Sequence, residues 1–212
     1  MSDCALRFYR DVVGPNADVR LPAGVRAIYI RSGTVRLNDE PVEADDARFC
    51  DSDVAVLSDG AVLWRCEFAH SDVLAILLEG VDSTLLLEAK LTTLPSSGGL
   101  MMRCDSVAFP PGGCAYTHTH RGPGIRCLEK GTIRIDGDGG SNHYGPEELW
   151  FESGPVPVFA QADSARETRF IRISILPRSL EGKSSITYVL PEDRDKPKSQ
   201  IYRGYFHWFI DG

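Results

Sequence analysis

Residues 110–131 read PPGGCAYTHTHRGPGIRCLEKG. A Pro-Pro-Gly-Gly turn leads into Cys114-Ala115-Tyr116-Thr117-His118-Thr119-His120, a short run between turn signals that reads as a strand. Side chains alternate faces along a strand with period two, so Cys114, Tyr116, His118 and His120 are expected on one face. Two imidazoles at i and i+2 stand about 7 Å apart at the backbone, and their rings can converge on one ion. Imidazole suits Zn, Cu, Fe and Ni. A lone histidine is ordinarily a surface or core-capping residue, whereas His-x-His directly after a glycine turn is far more specific.

Working outward, Gly124-Ile125-Arg126 is followed by Gly131-Thr132-Ile133-Arg134-Ile135. The first half holds the same arrangement with a two-residue change in spacing: Gly24-Val25-Arg26, then Gly33-Thr34-Val35-Arg36-Leu37. Residues 63–68 (LWRCEF) can likewise be laid over residues 171–175 (IRISI). A duplicated β unit accounts for both matches. Residues 94–99 (LPSSGG) have linker composition, which gives two domains, 1–95 and 96–212. Short alternating stretches punctuated by 13 Pro and 20 Gly indicate an all-β chain. Residues 83–91 (STLLLEAKL) contain helix-forming residues, but their setting favours a strand.

Composition excludes several classes. The 212 residues carry a net charge of -7 and no basic run, so the clustered Lys and Arg that hold nucleic acid are missing. No apolar run is long enough to span a bilayer, and residues 1–10 lack the apolar core of a signal peptide. Six cysteines without a C-x-x-C pair read as reduced thiols in a cytoplasmic protein. Neither nucleic acid nor membrane is expected as a partner.

The 110–131 window resembles the first cupin motif: glycine, five residues, His-x-His, three or four residues, glutamate, six residues, glycine. Gly112, His118, His120 and Gly131 fall on it. Residues 145–161 (GPEELWFESGPVPVFAQ) resemble the second motif, a glycine-containing turn and a strand bearing a third histidine. The resemblance implies two cupin-type jelly-roll β-barrels in tandem, a bicupin whose first half is a degenerate copy without His-x-His. It places a metal or small ligand in the second barrel. The first barrel is expected to be filled by apolar side chains.

The sequence departs from the motifs at two ligand positions. Gly124 stands where the glutamate belongs, and Pro157 where the third histidine belongs. Metal ligands are expected at His118, His120 and Gln161, with Tyr116, Glu152 and His143 as further substitutes; Tyr116 could also donate a proton or hydrogen bond. Arg126, two residues beyond the glutamate position, should point inward. It either clamps an acidic substrate through its fork geometry or pairs with an internal carboxylate, and Arg26 at the matching repeat position favours the pairing. The resemblance implies a divalent transition metal (Fe, Mn, Ni or Zn) and a small-molecule enzyme, an oxygenase or isomerase acting on an oxygenated or carboxylate metabolite. The competing reading is a non-catalytic small-molecule binding or sensing protein. The aromatic tail, residues 202–209, is expected to cover its own barrel or a partner subunit in a homodimer.

Overall fold

The computed structural model describes residues 3–92, 94, 98–137 and 139–210. The chain divides into two compact units, Met1–Thr92 and Thr93–Gly212. The expected boundary, between residues 95 and 96, lies outside the described residues. Among the described residues, no helix is long and apolar enough to cross a membrane.

The first unit is built from β1 (Cys4–Leu21), β2 (Arg26–Leu37), β3 (Glu40–Glu43), β4 (Ala47–Cys50), β5 (Val54–His70) and β6 (Asp82–Leu91). They form one antiparallel sheet in the order β3-β2-β5-β1-β6, with β4 also paired to β2. The ambiguous 83–91 stretch is strand β6, its exposure alternating residue by residue. Register slips interrupt β1 at Pro15/Ala17 and β2 at Ile30/Ser32 and Gly33/Val35. Such bulges bend and twist a sheet, and this one wraps around Val13, Ile28, Ile30, Val56 and Leu63.

The same inward phase continues into charge. Arg65 and Glu67 follow Ala61 and Leu63 at period two, and Tyr9 and Asp11 precede Val13. Arg65 and Asp11 are wholly buried and 2.7 Å apart, and Glu67 accepts from Arg65 at 2.7 Å while lying 3.2 Å from Arg26. The Arg65 guanidinium stands 3.9 Å from the centre of the Tyr9 ring. The first interior is therefore not purely apolar, contrary to expectation. Its ionic cluster was hidden because the neighbouring inward residues are apolar.

The second unit holds β7 (Leu100–Phe109), β8 (Cys114–His120), β9 (Gly124–Lys130), β10 (Ile133–Gly137), β11 (Gly140–Tyr144), β12 (Leu149–Glu152), β13 (Val158–Ala162), β14 (Thr168–Pro177), β15 (Ile186–Tyr188) and β16 (Ile201–Ile210). Two five-stranded antiparallel sheets result, ordered β11-β10-β13-β8-β15 and β12-β9-β14-β7-β16. Val107, Phe109, Leu128, Ile133, Trp150, Val158 and Phe170 form the core, each fully buried side chain contributing about 1.5–3 kcal/mol. The aromatic tail is β16, paired along β7, so it completes a sheet of its own unit; Phe209 packs on Met101, Leu176 and Leu180.

The repeat read from the sequence reappears in backbone detail. Gly33 and Gly131 have φ of 80° and 79°, and a Cβ there would stand 2.1 Å from the Gly60 carbonyl oxygen and 2.5 Å from that of Glu167. Only glycine fits either position. In each unit one cross-strand row is charged. Arg7 and Arg26 flank Glu67 in the first; Asp105 and Arg126 flank Arg172 in the second.

Candidate functional site

Strand β8 carries one residue more than its partner: Val158 lies opposite His118 and Ala160 opposite Ala115. The extra residue is a bulge that changes which side chains face in. Ala115, His118 and His120 are buried, whereas Cys114 and Tyr116 are only partly so. The Tyr116 ring instead meets the ammonium groups of Lys196 and Lys198, 4.9 and 5.3 Å from its centre. Simple alternation from Cys114 to His120 thus fails at the bulge, and the structure does not bring Tyr116 to the histidines through its side chain. Its carbonyl does reach them, accepting from His118 Nδ1 at 2.7 Å. A carbonyl can only accept, so Nδ1 bears the proton and Nε2 keeps its lone pair.

The two imidazoles converge. His118 Nε2 and His120 Nε2 are 3.2 Å apart, with the ring planes at 89°. Glu152 Oε2 lies 3.1 Å from His120 Nε2 and 2.7 Å from Arg126. Oε2 is thus a buried carboxylate oxygen held between the second imidazole and a guanidinium. Its twin, Oε1, accepts from Trp150 Nε1 at 2.8 Å. Arg126 also donates to the Gly124 carbonyl at 2.6 Å.

Glu152 and Gly124 are direct cross-strand partners on β12 and β9. A Cβ at residue 124 would stand 2.6 Å from the Ile173 carbonyl oxygen and 3.2 Å from the Arg126 guanidinium. No glutamate fits there, and the carboxylate is supplied from the next strand. Gln161 is not part of this group. It sits in the outward phase of β13, and its amide donates to the carbonyls of Gly112 and Gly113 at 3.0 and 3.2 Å, bracing the turn before β8. His143 pairs across from Arg134 on the exposed side of β11.

Two residues not anticipated from the sequence, Arg172 and Gln200, complete the wall. Arg172 makes a two-pronged pair with Asp105, 2.9 and 2.7 Å. The Gln200 amide is buried beside them. These groups and the histidines enclose a cavity of about 30 Å³, room for an ion or one or two waters.

Burial pushes His120 down to about 3, with Glu152 opposing, and also lowers His118; both are neutral at pH 7. Burial lowers Arg126 to about 10, with Glu152 opposing, so it stays charged. For Glu152, burial favours the protonated form, but Arg126 and His120 outweigh it and hold the carboxyl below its usual range. Two guanidiniums thus face two carboxylates, Glu152 and Asp105.

Nitrogen ligands sit about 2.0–2.1 Å from a metal, so two sharing one ion are about 2.9–3.4 Å apart at tetrahedral or octahedral angles. The 3.2 Å separation of the imidazole nitrogens falls in that range. No group of three or more His, Cys, Asp or Glu already set to hold an ion is found among the described residues. His118, His120 and Glu152 come nearest, and Oε2, 3.1 Å from His120 Nε2, is placed to be a third donor, with Arg126 competing for it.

No protein-family model and no curated protein matches the sequence. Solved structures do match in fold. AerE from Microcystis aeruginosa superposes with a TM-score of 0.58 at 20% identity, over 81% of this chain and 88% of that one. A mutant salicylate 1,2-dioxygenase from Pseudoaminobacter salicylatoxidans, in complex with gentisate, gives 0.56 at 12% identity, over 86% and 71%. A cupin 2 conserved barrel domain protein from Leptotrichia buccalis gives 0.50 at 13%, over 82% and 85%. The chain is an all-β protein of the cupin fold, with two jelly-roll barrels in tandem. At these identities the likeness concerns the fold.

Proposed function

We propose that the second barrel binds a divalent transition metal (Fe, Mn, Ni or Zn) through His118, His120 and Glu152, and that the protein is a small-molecule enzyme of the oxygenase or isomerase class acting on an oxygenated metabolite. The observation that carries this reading is the pair of imidazole nitrogens 3.2 Å apart beside a buried carboxylate oxygen 3.1 Å from one of them. When bound, such a metal acts as a Lewis acid toward a substrate oxygen or activates water or oxygen. The Tyr116 carbonyl holds His118 in the tautomer whose Nε2 can ligate. Arg126, expected either to clamp a substrate carboxylate or to pair internally, is engaged by Glu152 and the Gly124 carbonyl, which removes the main support for an acidic substrate. The 30 Å³ cavity has no space for a whole metabolite, so only the reacting group enters it.

A second reading, a non-catalytic small-molecule binding protein, draws on the contact between Arg126 and Glu152, which satisfies the carboxylate's charge without a metal. A cytoplasmic location and a homodimer belong to the same proposal. The first is supported by the free cysteines, the second by exposed Ile201 and Trp208 on the edge strand β16.

Elemental analysis of tag-free protein purified without added metal separates the readings. Stoichiometric metal that disappears in the His118→Ala/His120→Ala variant is the expected result. Metal-free protein whose melting temperature is unmoved by Fe, Mn, Ni and Zn salts refutes the metalloenzyme, since a bound ion at a hundredfold excess over its dissociation constant stabilises by about 2.7 kcal/mol.

A further inference from the structure

Strand β16 ends its sheet, paired to β7. Tyr202, Gly204 and His207 stand opposite Val107, Asp105 and Arg103, the row of β7 that carries Val107 into the core, so these side chains share a face. Between this edge and residues 182–186 lies a cleft of about 210 Å³, lined by Arg103, Lys183, Ser184, Ser185, Ile186 and Tyr202 together with the Asp105–Arg172 pair. Arg172, Ile186 and Tyr202 line both this cleft and the interior cavity, whereas His118, His120, Arg126 and Glu152 line the cavity alone.

The charges of the cleft do not balance. Among its described lining residues Asp105 is the one carboxylate, and both its oxygens accept from Arg172, at 2.9 and 2.7 Å. Among the described residues Arg103 donates to a carbonyl, that of Leu180 at 2.6 Å, and Lys183 to that of Ser179 at 3.1 Å. Each contact uses one of several donors. Glu181, half exposed, faces His207 instead, at 3.3 Å. Burial lowers Arg103 from its usual range, Arg172 adds to this and Asp105 opposes it; a counter-anion relieves a charge so placed. Ser184 Oγ accepts from the Ile186 amide, which leaves its hydroxyl proton to donate.

We infer that this cleft binds a small organic anion, a carboxylate or phosphate group carried on a flat apolar body, as a ligand distinct from the molecule that reacts in the interior. Arg103 and Lys183 take the charged head, since a guanidinium fork matches either oxyanion. Ile186 and the half-exposed ring of Tyr202 receive the body, and a cavity of about 150 Å³ already admits benzene. The cleft runs on into a wider groove past Gly204. A Cβ at Gly204 would meet nothing within 4 Å, so this glycine leaves the entrance open. Neither interior histidine is involved, and the inference does not rest on the proposed metal.

The test is calorimetric titration of the full chain with phenyl phosphate, benzoate and benzamide, one ring bearing a dianion, a monoanion or a neutral amide. The two anions are expected to bind, and benzamide about tenfold or more weakly. Binding of one anion alone supports the inference and names the head group. Lys183→Glu should weaken anion binding by about fivefold or more. Gly204→Leu fills the entrance and should weaken it by about tenfold or more, with the melting temperature of the wild type. Lys183 is exposed, so its variant decides the matter if Gly204→Leu does not fold. The His118→Ala/His120→Ala variant should bind the anions like the wild type, which sets this site apart from the interior one. Neither anion binding, benzamide binding as tightly as the anions, full affinity in either folded cleft variant, or loss of binding in the double-histidine variant each overturns the inference.

Discussion

Glu152→Gln isolates the group on which the site depends. The amide keeps the shape and can still accept from Trp150 Nε1 through its oxygen, a bond worth about 1 kcal/mol. What it removes is the charge facing Arg126, whose guanidinium is 1% exposed and 2.7 Å from Oε2. Breaking a buried pair by neutralising one partner costs about 3–5 kcal/mol. With the Trp150 bond retained and the Gly124 carbonyl still accepting from Arg126, the low end applies, about 3 kcal/mol, which in a unit of this size lowers the melting temperature by roughly 10 °C. Urea denaturation followed by tryptophan fluorescence reads it, because Trp150 sits against the altered side chain. Arg126→Met combined with Glu152→Gln removes both charges and should return to within about 1 kcal/mol of the wild type. A single variant within about 0.5 kcal/mol of the wild type, or a double variant no more stable than the single, refutes the reasoning.

Three further outcomes are expected. Gly124→Ala should cost about 1–3 kcal/mol by overpacking against the Ile173 carbonyl; unchanged stability would contradict the crowding at β9. Asp11→Asn should destabilise the first unit by about 3–5 kcal/mol by leaving Arg65, among the described residues, with Glu67 as its one acidic partner; urea denaturation showing a loss of less than about 1 kcal/mol would contradict this. Burial pushes the Cys50 thiol up to about 11. Its thiolate at pH 8 should therefore be roughly two-hundredfold scarcer than that of a free cysteine, with reactivity recovering only as pH rises toward 11. Rapid iodoacetamide labelling of Cys50 at pH 8 would show the thiol to be less enclosed.

The β content, the duplication and the histidine pair were legible because each leaves a local mark: alternation, a repeated Gly-x-Arg, and His-x-His after a turn. Burial of Arg126 followed from its phase and from Arg26. Tyr116 was misjudged because a bulge is a property of two strands, and nothing within residues 114–120 announces the extra residue. That Glu152 rather than Gln161 reaches the histidines has a related reason. The choice between them depends on the pairing of β12 with β9, which places Glu152 opposite Gly124. Arg172 and Gln200 meet the site from distant parts of the chain, Arg172 through the register of β14 with β9 and β7. The ionic cluster of the first unit escaped notice because isolated charges in alternating segments look like the solvent face.

The charged rows of the two units bear on how such a molecule could be recombined. Where the first has Arg7 opposite Glu67, the second has Asp105 opposite Arg172; the second two are bound to each other, while Arg7 reaches Glu88 and Glu67 is held by Arg65 and Arg26. Grafting either strand alone into the other half would set Arg7 against Arg172, or Asp105 against Glu67, like against like in a dry interior. In the second row a change of sign at Arg172 alone would strand Asp105, and in the first a change at Glu67 would strand Arg65 and Arg26. A recombinant of the two halves therefore has to carry each charged row over with its own partners.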